Sequence, residues 1–548
     1  MFNYPNRFRM KTYLILANIS IILLFYSIWQ IKPVIVNVND FLGLTSHLTI
    51  YYWIGLLLIT LCSISVFRDS ELKGDGIFIY ILLITGLFLF GLGVFAEDNV
   101  RAWSSYYPIA EVKSILESGH VDITSIYPVI SYRSFPAIHF ISSFFLLLTK
   151  VDLVNMIKYM PLFWTILFIL IIYCIGKRLT SSNSYAFMMS MLMISSFWQV
   201  YYYYSPQSYA YLLFLLLIFL LTTMKFSLRA RILALLLFAA LTISHLFYSV
   251  ITISVMSIHA VQKKQYKFIL VAFVIFVTWY MYVTPLIFEM GANKLAETVN
   301  NMDSSMLSQA QKYSYNTDIN TQINSFRFMY PITYMILMLF SLILYRSGII
   351  GKEKRCYIRT SFLMIIVITI FGLLKYGNEA LERAYMFDMI FVITIIVLSF
   401  SNSNKNVLVA FMIILIGIHI PAHYGSESFL TVHTSELKGS EFIVSRINLS
   451  SLNTGVNTVY IYPSGGDRYI SYYDPLLVTV RSRDTDFLEL PNALDRVRYI
   501  IWGIHSSNLD MYYFGMDHIE KLLDSNKRNM DVTQIYDNGG LKVFDHKL

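Results

Sequence analysis

The chain has 548 residues, 56% of them hydrophobic and only 14% charged, and a mean hydropathy of +0.57. Soluble domains carry about a quarter charged residues, so this composition excludes a soluble globular protein and points to a polytopic membrane protein. The net charge of +8 is assigned to Lys and Arg in cytoplasmic loops and not to a nucleic-acid partner. The cysteines (Cys62, Cys174 and Cys356) lack metal-ligand spacing and support neither a disulfide framework nor a zinc site. The basic start, with Arg7, Arg9 and Lys11, leads into an apolar run long enough to remain as an anchor, so no cleavable signal peptide is expected.

A helix needs about twenty apolar residues to cross the hydrocarbon core. Runs that meet or approach this length lie at 12–31, 48–67, 76–95, 154–175, 185–204, 207–224, 268–288, 329–345, 360–375, 385–400 and 405–420. The run 135–149 is short and begins around Pro136, and 231–261 is too long for one span and holds His245 near its middle. Basic clusters mark cytoplasmic ends: Arg7, Arg9 and Lys11; Arg68 and Lys73; Lys177 and Arg178; Lys225, Arg229 and Arg231; Lys263, Lys264 and Lys267; and the run from Arg346 to Arg359. All fall on one side if 135–149 lies in the outer interface and 231–261 is a hairpin of two half-length helices turning near His245. That arrangement predicts about thirteen membrane segments, a cytoplasmic N-terminus and an extracytoplasmic C-terminus.

The predicted organisation is a helical membrane domain over 1–420, with a first outer loop at 96–136 and a second at 289–328. A first loop of about forty residues is far longer than a helix connector needs. Within it the period of Trp103, Tyr106, Ile109, Ala110, Val112, Lys113, Leu116 and Glu117 predicts an interfacial helix, and Gly119 a C-cap. From 421 to 548 the pattern changes to a small extracytoplasmic α/β domain. Strands are expected at 458–462, 476–480 and 497–502, a helix at 510–524, and a hairpin over 532–544 turning at Asn538-Gly539.

Chemistry is expected first at the acidic pair Glu97 and Asp98, which ends a span and opens the long loop. A carboxylate there suits a general base, although a span end also takes an acidic residue for solubility alone. Arg383, in the outer segment that leads into the span 385–400, offers a planar fork suited to phosphate, or belongs to an interfacial network with Glu379 and Glu382. Asp388 reads as part of such a network. The tyrosine-rich turn 198–209, with Tyr204 and Gln207, is an aromatic belt or a ligand platform. His245, Arg133 and His139 are further lining candidates, each with a structural reading beside it. Glu111, Glu117 and Asp122 are expected to be solvated, and Asn448-Leu-Ser is a formal glycosylation sequon.

The layout resembles the GT-C superfamily of integral-membrane glycosyltransferases, which includes protein mannosyltransferases, oligosaccharyltransferases and aminoarabinose transferases. The resemblance rests on Glu97-Asp98 heading a long first outer loop with an interfacial helix. It rests also on Tyr132-Arg-Ser-Phe-Pro-Ala-Ile-His139, Tyr159-Met-Pro161 and Gly176-Lys-Arg-Leu179. In the tail, Ser435-Glu-Leu-Lys-Gly-Ser-Glu-Phe442 and Ile535-Tyr-Asp-Asn-Gly-Gly-Leu-Lys-Val-Phe544 look like archaeal or bacterial surface-glycan members with an extracytoplasmic C-terminal domain. No WWDYG-type motif is present, which departs from the oligosaccharyltransferase branch.

The resemblance implies transfer of a sugar from a polyprenyl-phosphate-linked donor to an acceptor hydroxyl on a glycan, lipid or protein at the outer face. Asp98, or Glu97, would then be the base, and Arg383 would contact the lipid phosphate. Some relatives use a divalent cation and others do not, and the acidic pair does not decide between them. The alternatives are a lipid-linked polysaccharide polymerase or ligase, which the loop 289–328 with Lys294, Lys312 and Arg327 keeps open, and a lipid-linked glycan flippase. The flippase reading expects inverted repeats and paired charges deep within spans.

Overall fold

The computed structural model describes residues 4–32, 42–72, 74–121, 134–196, 203–223, 227–285, 318–347, 350–373, 380–401, 405–425, 430–446, 458–461, 480–481, 497–503, 532–538 and 541–546, with a few single positions between them. Hydrocarbon thickness sets the helix lengths. The 22-residue helix Asp75–Ala96 spans about 33 Å at 1.5 Å per residue, close to the depth of a bilayer core. Among the described residues, nine helices are long and apolar enough to cross a membrane. The protein is a helical, multi-pass membrane protein.

In chain order the helices are α1 (Tyr4–Ile31), α2 (Ile50–Arg68), α3 (Asp75–Ala96), α4 (Tyr106–Ser118), α5 (Ala137–Thr149), α6 (Leu153–Thr180), α7 (Asn183–Ser196) and α8 (Pro206–Thr223). There follow α9 (Leu228–Thr242), α10 (Leu246–Gln262), α11 (Tyr266–Val277) with a π turn at Thr278–Val283, α12 (Asp318–Arg346), α13 (Lys352–Leu373), α14 (Ala380–Phe400), α15 (Lys405–Tyr424) and α16 (Thr434–Arg446). Of the nine candidate spans, α3 and α14 are the most enclosed, with 78% and 89% of their apolar windows buried, whereas α11 buries 17%. The first two form the centre of the bundle and α11 lies at its rim. The exposed side chains of α1, α5 and α11, such as Ile22, Trp29, Leu148 and Leu270, are apolar because their outer surround is lipid.

The expected hairpin over 231–261 is present as α9 and α10. They are joined by a tight turn in which the N–H groups of Ser244 and His245 both donate to the Leu241 carbonyl. Helix α5 is short, as its sequence requires. It turns Phe144, Leu147 and Leu148 outward and buries His139, Ser142 and Ser143, the inverse of a soluble amphipathic helix. Helix α4 ends at Gly119, whose φ of 76° is the left-handed conformation expected of a C-cap glycine.

Side-chain contacts gather the basic clusters at one end of the bundle. Arg9 faces Asp69, Arg68 donates to Asn406, Lys177 pairs with Asp75, and Lys354 donates to Ser401. Gln262, at the end of α10, bonds Thr360 of α13 at this same end. The opposite end is formed by the C-terminal ends of α1, α3 and α15 and the N-terminal ends of α6 and α14.

Beyond α15, five strands form one sheet, β1 (Thr458–Ile461), β2 (Val480–Arg481), β3 (Val497–Gly503), β4 (Val532–Asp537) and β5 (Leu541–His546), in the order β2-β1-β3-β5-β4. β1 runs parallel to β2 and β3, and β5 lies antiparallel between β3 and β4. The helix expected at 510–524 lies outside the described residues. Helix α16 packs on the β4–β5 hairpin. Asn538 donates to the Ser435 carbonyl at 2.6 Å, and the rings of Phe442 and Tyr536 stack at 4.2 Å. The last membrane helix continues to Tyr424, past the expected boundary at residue 420.

The two-ended arrangement predicts a labelling pattern. In a variant without native cysteines, single cysteines at Leu72, Ser181 and Lys264 will react with a membrane-impermeant maleimide from one side. Single cysteines at Ser118 and Val151 will react from the other. Reaction of both sets from the same side contradicts the arrangement.

Candidate active site

At the end opposite the basic clusters, α3 closes with the Glu97 N–H bonded to the Gly93 carbonyl, and the chain turns sharply. Glu97 is only 3% exposed and Arg101 only 5%, and their charged groups face each other at 3.5 Å. Gly93 makes room for this pair, because a Cβ there would lie 3.1 Å from Cδ and Nε of Arg101. The guanidinium also lies 5.7 Å from the ring centre of Tyr424, a cation–π distance. Arg101 is thus held on two sides. The following residue, Ala102, has a φ of 64°, a strained conformation for a residue with a side chain, and its N–H donates to the Leu430 carbonyl.

Asp98 sits differently. Its side chain is 58% exposed, and one carboxylate oxygen lies 3.2 Å from the Lys32 ammonium. A second ammonium, that of Lys158 near the start of α6, donates to the carbonyls of Glu97 at 2.7 Å and Asp98 at 3.1 Å. An ammonium at the head of an apolar helix has to find oxygen partners, and the turn between α3 and its loop supplies them. The resulting cluster is one open carboxylate paired with Lys32, with a second ammonium, Lys158, holding the backbone carbonyl of the same residue. Tyr159 and Phe95 pack beside it, with ring centres 6.1 Å apart.

The end of α15 walls the buried side of the cluster. His419, His423 and Phe90 pack ring to ring at 5.0–5.4 Å. The Tyr424 hydroxyl donates to the Leu89 carbonyl at 2.9 Å. The two ring nitrogens of His419 face the carbonyls of Ser195 and Leu89, each at 3.3 Å; a neutral imidazole has one N–H and can donate to only one of them. The segment after α15 then clamps the first loop, with Asn99 donating to the Val432 carbonyl at 2.7 Å.

The structure groups the other sequence candidates elsewhere at the same end. Arg383 starts the enclosed part of α14 and acts electrostatically on His245. The Phe135 ring stacks on that imidazole at 5.2 Å, with Tyr248 at 4.9 Å. His139 is buried on α5 one turn beyond Phe135. Tyr204 is fully buried and its hydroxyl bonds Ser142 at 2.7 Å, so it ties α5 to the bundle. Gln207 accepts from Tyr203 at 3.2 Å. Asp388, inside α14, accepts from Thr369 at 3.0 Å. Arg133, Glu379 and most of the loop 289–328 lie outside the described residues, as does the side chain of Glu382.

Sequence reasoning passed over Lys32, Lys158, Arg101, His419 and His423. Signals for several of them were available. Lys158 interrupts an apolar span, His419 and His423 lie four apart in the last span, and Arg101 follows Glu97 by four. Among the described residues, no group of three His, Cys, Asp or Glu side chains is arranged to hold a metal ion.

No protein-family model matches the chain, and no curated protein matches its sequence. Among solved structures the chain is similar to ArnT from Cupriavidus metallidurans bound to undecaprenyl phosphate, at 10% identity and a TM-score of 0.49. The alignment covers 86% of this chain and 98% of that one. It is also similar to ArnT from the same organism in the apo state, at 10% identity and a TM-score of 0.38, over 85% of this chain and 97% of that one. At this identity and overlap the likeness transfers neither residue roles nor a substrate.

The two acidic residues should differ in what their loss does to stability. Glu97→Gln removes the charge that faces the buried guanidinium of Arg101, and breaking a buried ion pair costs about 3–5 kcal/mol. Asp98→Asn removes an exposed pair with Lys32, worth about 1 kcal/mol or less. Thermal unfolding of the purified protein checks this: Glu97→Gln should lower Tm clearly, and Asp98→Asn should leave it close to wild type.

Proposed function

We propose that the protein is a membrane glycosyltransferase that moves a sugar from a polyprenyl-phosphate-linked donor to an acceptor hydroxyl. The reaction is placed at the outer face, with the basic end of the bundle in the cytoplasm by the positive-inside rule. One observation carries the reading: an exposed carboxylate, Asp98, lies 3.2 Å from the Lys32 ammonium, and a second ammonium, Lys158, bonds the backbone carbonyl of Asp98, beside aromatic side chains. Sugar transfer from a lipid phosphate needs these parts together. They are a base for a hydroxyl, cations for a departing phosphate, and apolar walls for a carrier chain.

In the proposed reaction the Asp98 carboxylate takes the proton of the acceptor hydroxyl as that oxygen attacks the anomeric carbon. The bond from that carbon to the phosphate oxygen breaks, and the polyprenyl phosphate leaves with the electron pair. Lys32 and Lys158 stabilise the charge that develops on the phosphate. A phosphate that draws Lys32 toward itself also releases Asp98 from its ion pair, so donor binding would free the base when it is needed. Arg383, at the same end, is assigned to the phosphate as the carrier enters. Glu97, buried against Arg101, is assigned to holding the turn and not to proton transfer. Positioning donor, acceptor and base in one place supplies much of the rate.

The test is an assay of purified protein against a panel of polyprenyl-phosphate sugars with candidate acceptors. Asp98→Asn should insert and fold normally and lose about a hundredfold or more in kcat, the scale of general-base catalysis. Arg383→Ala should raise KM for the lipid donor more than it lowers kcat. Full activity in Asp98→Asn would remove the base assignment.

A further inference from the structure

The opposite, basic end of the bundle holds a cavity that the proposed reaction does not use. It has a volume of about 440 Å³ and lies between α6, α8, α10, α13 and α14. That volume is within the range of about 300–1,000 Å³ typical of small-molecule sites. Arg178 and Lys263 stand at its mouth on different helices, and both are exposed. Gln262 and Thr360 bond each other across the rim. Deeper in, the walls are apolar and include Ile218, Leu221 and Phe391. No Asp or Glu is among the described residues that line it.

The depth follows from helix geometry. Lys263 at the mouth and Val255 on the inner wall are eight residues apart, about 12 Å along α10. A site with two cations at the rim, no carboxylate and an apolar shaft of this length suits neither a free sugar nor a cation. It matches an amphiphile with a compact anionic head and one apolar chain. A phosphate monoester carries about −1.5 to −2 charges near pH 7, which the two cations balance. Basic pockets between helices on the cytoplasmic side commonly receive anionic lipid head groups.

We infer that this cavity is a second lipid site, distinct from the Asp98 cluster, which binds a lipid phosphate with its head between Arg178 and Lys263 and its chain running inward past Val255. Occupancy joins α6 to α10 at the end far from the proposed chemistry. The site stands whether or not the glycosyltransferase reading holds, because none of its residues belongs to the Asp98 cluster.

Cys356 lines the cavity and gives a local readout. In full-length protein carrying Cys62→Ala and Cys174→Ala, reconstituted in phosphatidylcholine nanodiscs, the labelling rate of Cys356 by a maleimide would be measured. Dodecyl phosphate should slow labelling about tenfold, while inorganic phosphate and dodecanol should leave it unchanged. Arg178→Gln with Lys263→Gln should abolish the protection while the protein stays monodisperse, and Arg231→Gln, outside the cavity, should preserve it. Unchanged labelling in dodecyl phosphate would overturn the inference. Equal protection by inorganic phosphate or by dodecanol would also overturn it, by showing a simple anion site or an apolar crevice.

Discussion

The Lys158 ammonium organises the end of this protein opposite the basic clusters. It sits near the start of a long apolar helix, where a bare charge is expensive, and it is satisfied by the carbonyls of Glu97 and Asp98. That attachment ties the first residues after α3 to the start of α6. The turn buries Glu97 toward Arg101 and exposes Asp98 toward Lys32. Two neighbouring carboxylates of similar chemistry thereby acquire different environments, one enclosed and one open. The difference comes from backbone geometry, since adjacent residues in an extended turn point to opposite sides.

Around this turn the bundle supplies rigidity from unexpected places. The last span contributes Tyr424, His423 and His419, and the chain after it clamps the first loop through Asn99 and Ala102. Residues more than three hundred positions apart therefore share one wall. The left-handed Ala102 fits this picture, because a strained residue persists where its surroundings over-determine it. The opposite end is built on another principle. There, basic residues pair with polar groups at neighbouring helix ends, and the bundle opens into a cavity.

Much of the fold was legible in the sequence. Hydropathy alone located most of the long helices, and the requirement that basic clusters share one side correctly split 231–261 into α9 and α10. The short apolar run at Ala137–Thr149 and the C-cap at Gly119 were equally readable, because each rests on a local rule. The extent of α15 was less so: Pro421 suggested a break, but its missing N–H does not stop the helix from running on to Tyr424. The site was legible only in part. The acidic pair stood out as a sequence anomaly, whereas which of its members is buried depends on Arg101 and Gly93, a contact that pattern cannot show. Lys32 and Lys158 were hidden because each is a single lysine outside the basic clusters, and what it meets depends on the tertiary fold.

The central claim is that the open Asp98 carboxylate, paired with Lys32 and next to Lys158, serves transfer of a sugar from a lipid phosphate. Its most direct measurement is release of free polyprenyl phosphate by the purified wild-type protein from a radiolabelled polyprenyl-phosphate sugar, with and without an acceptor. The account predicts release that requires the acceptor, matches sugar incorporation one to one, and fails in Asp98→Asn protein of normal thermal stability. Release that Asp98→Asn leaves intact, or no release from any polyprenyl-phosphate sugar, would contradict it.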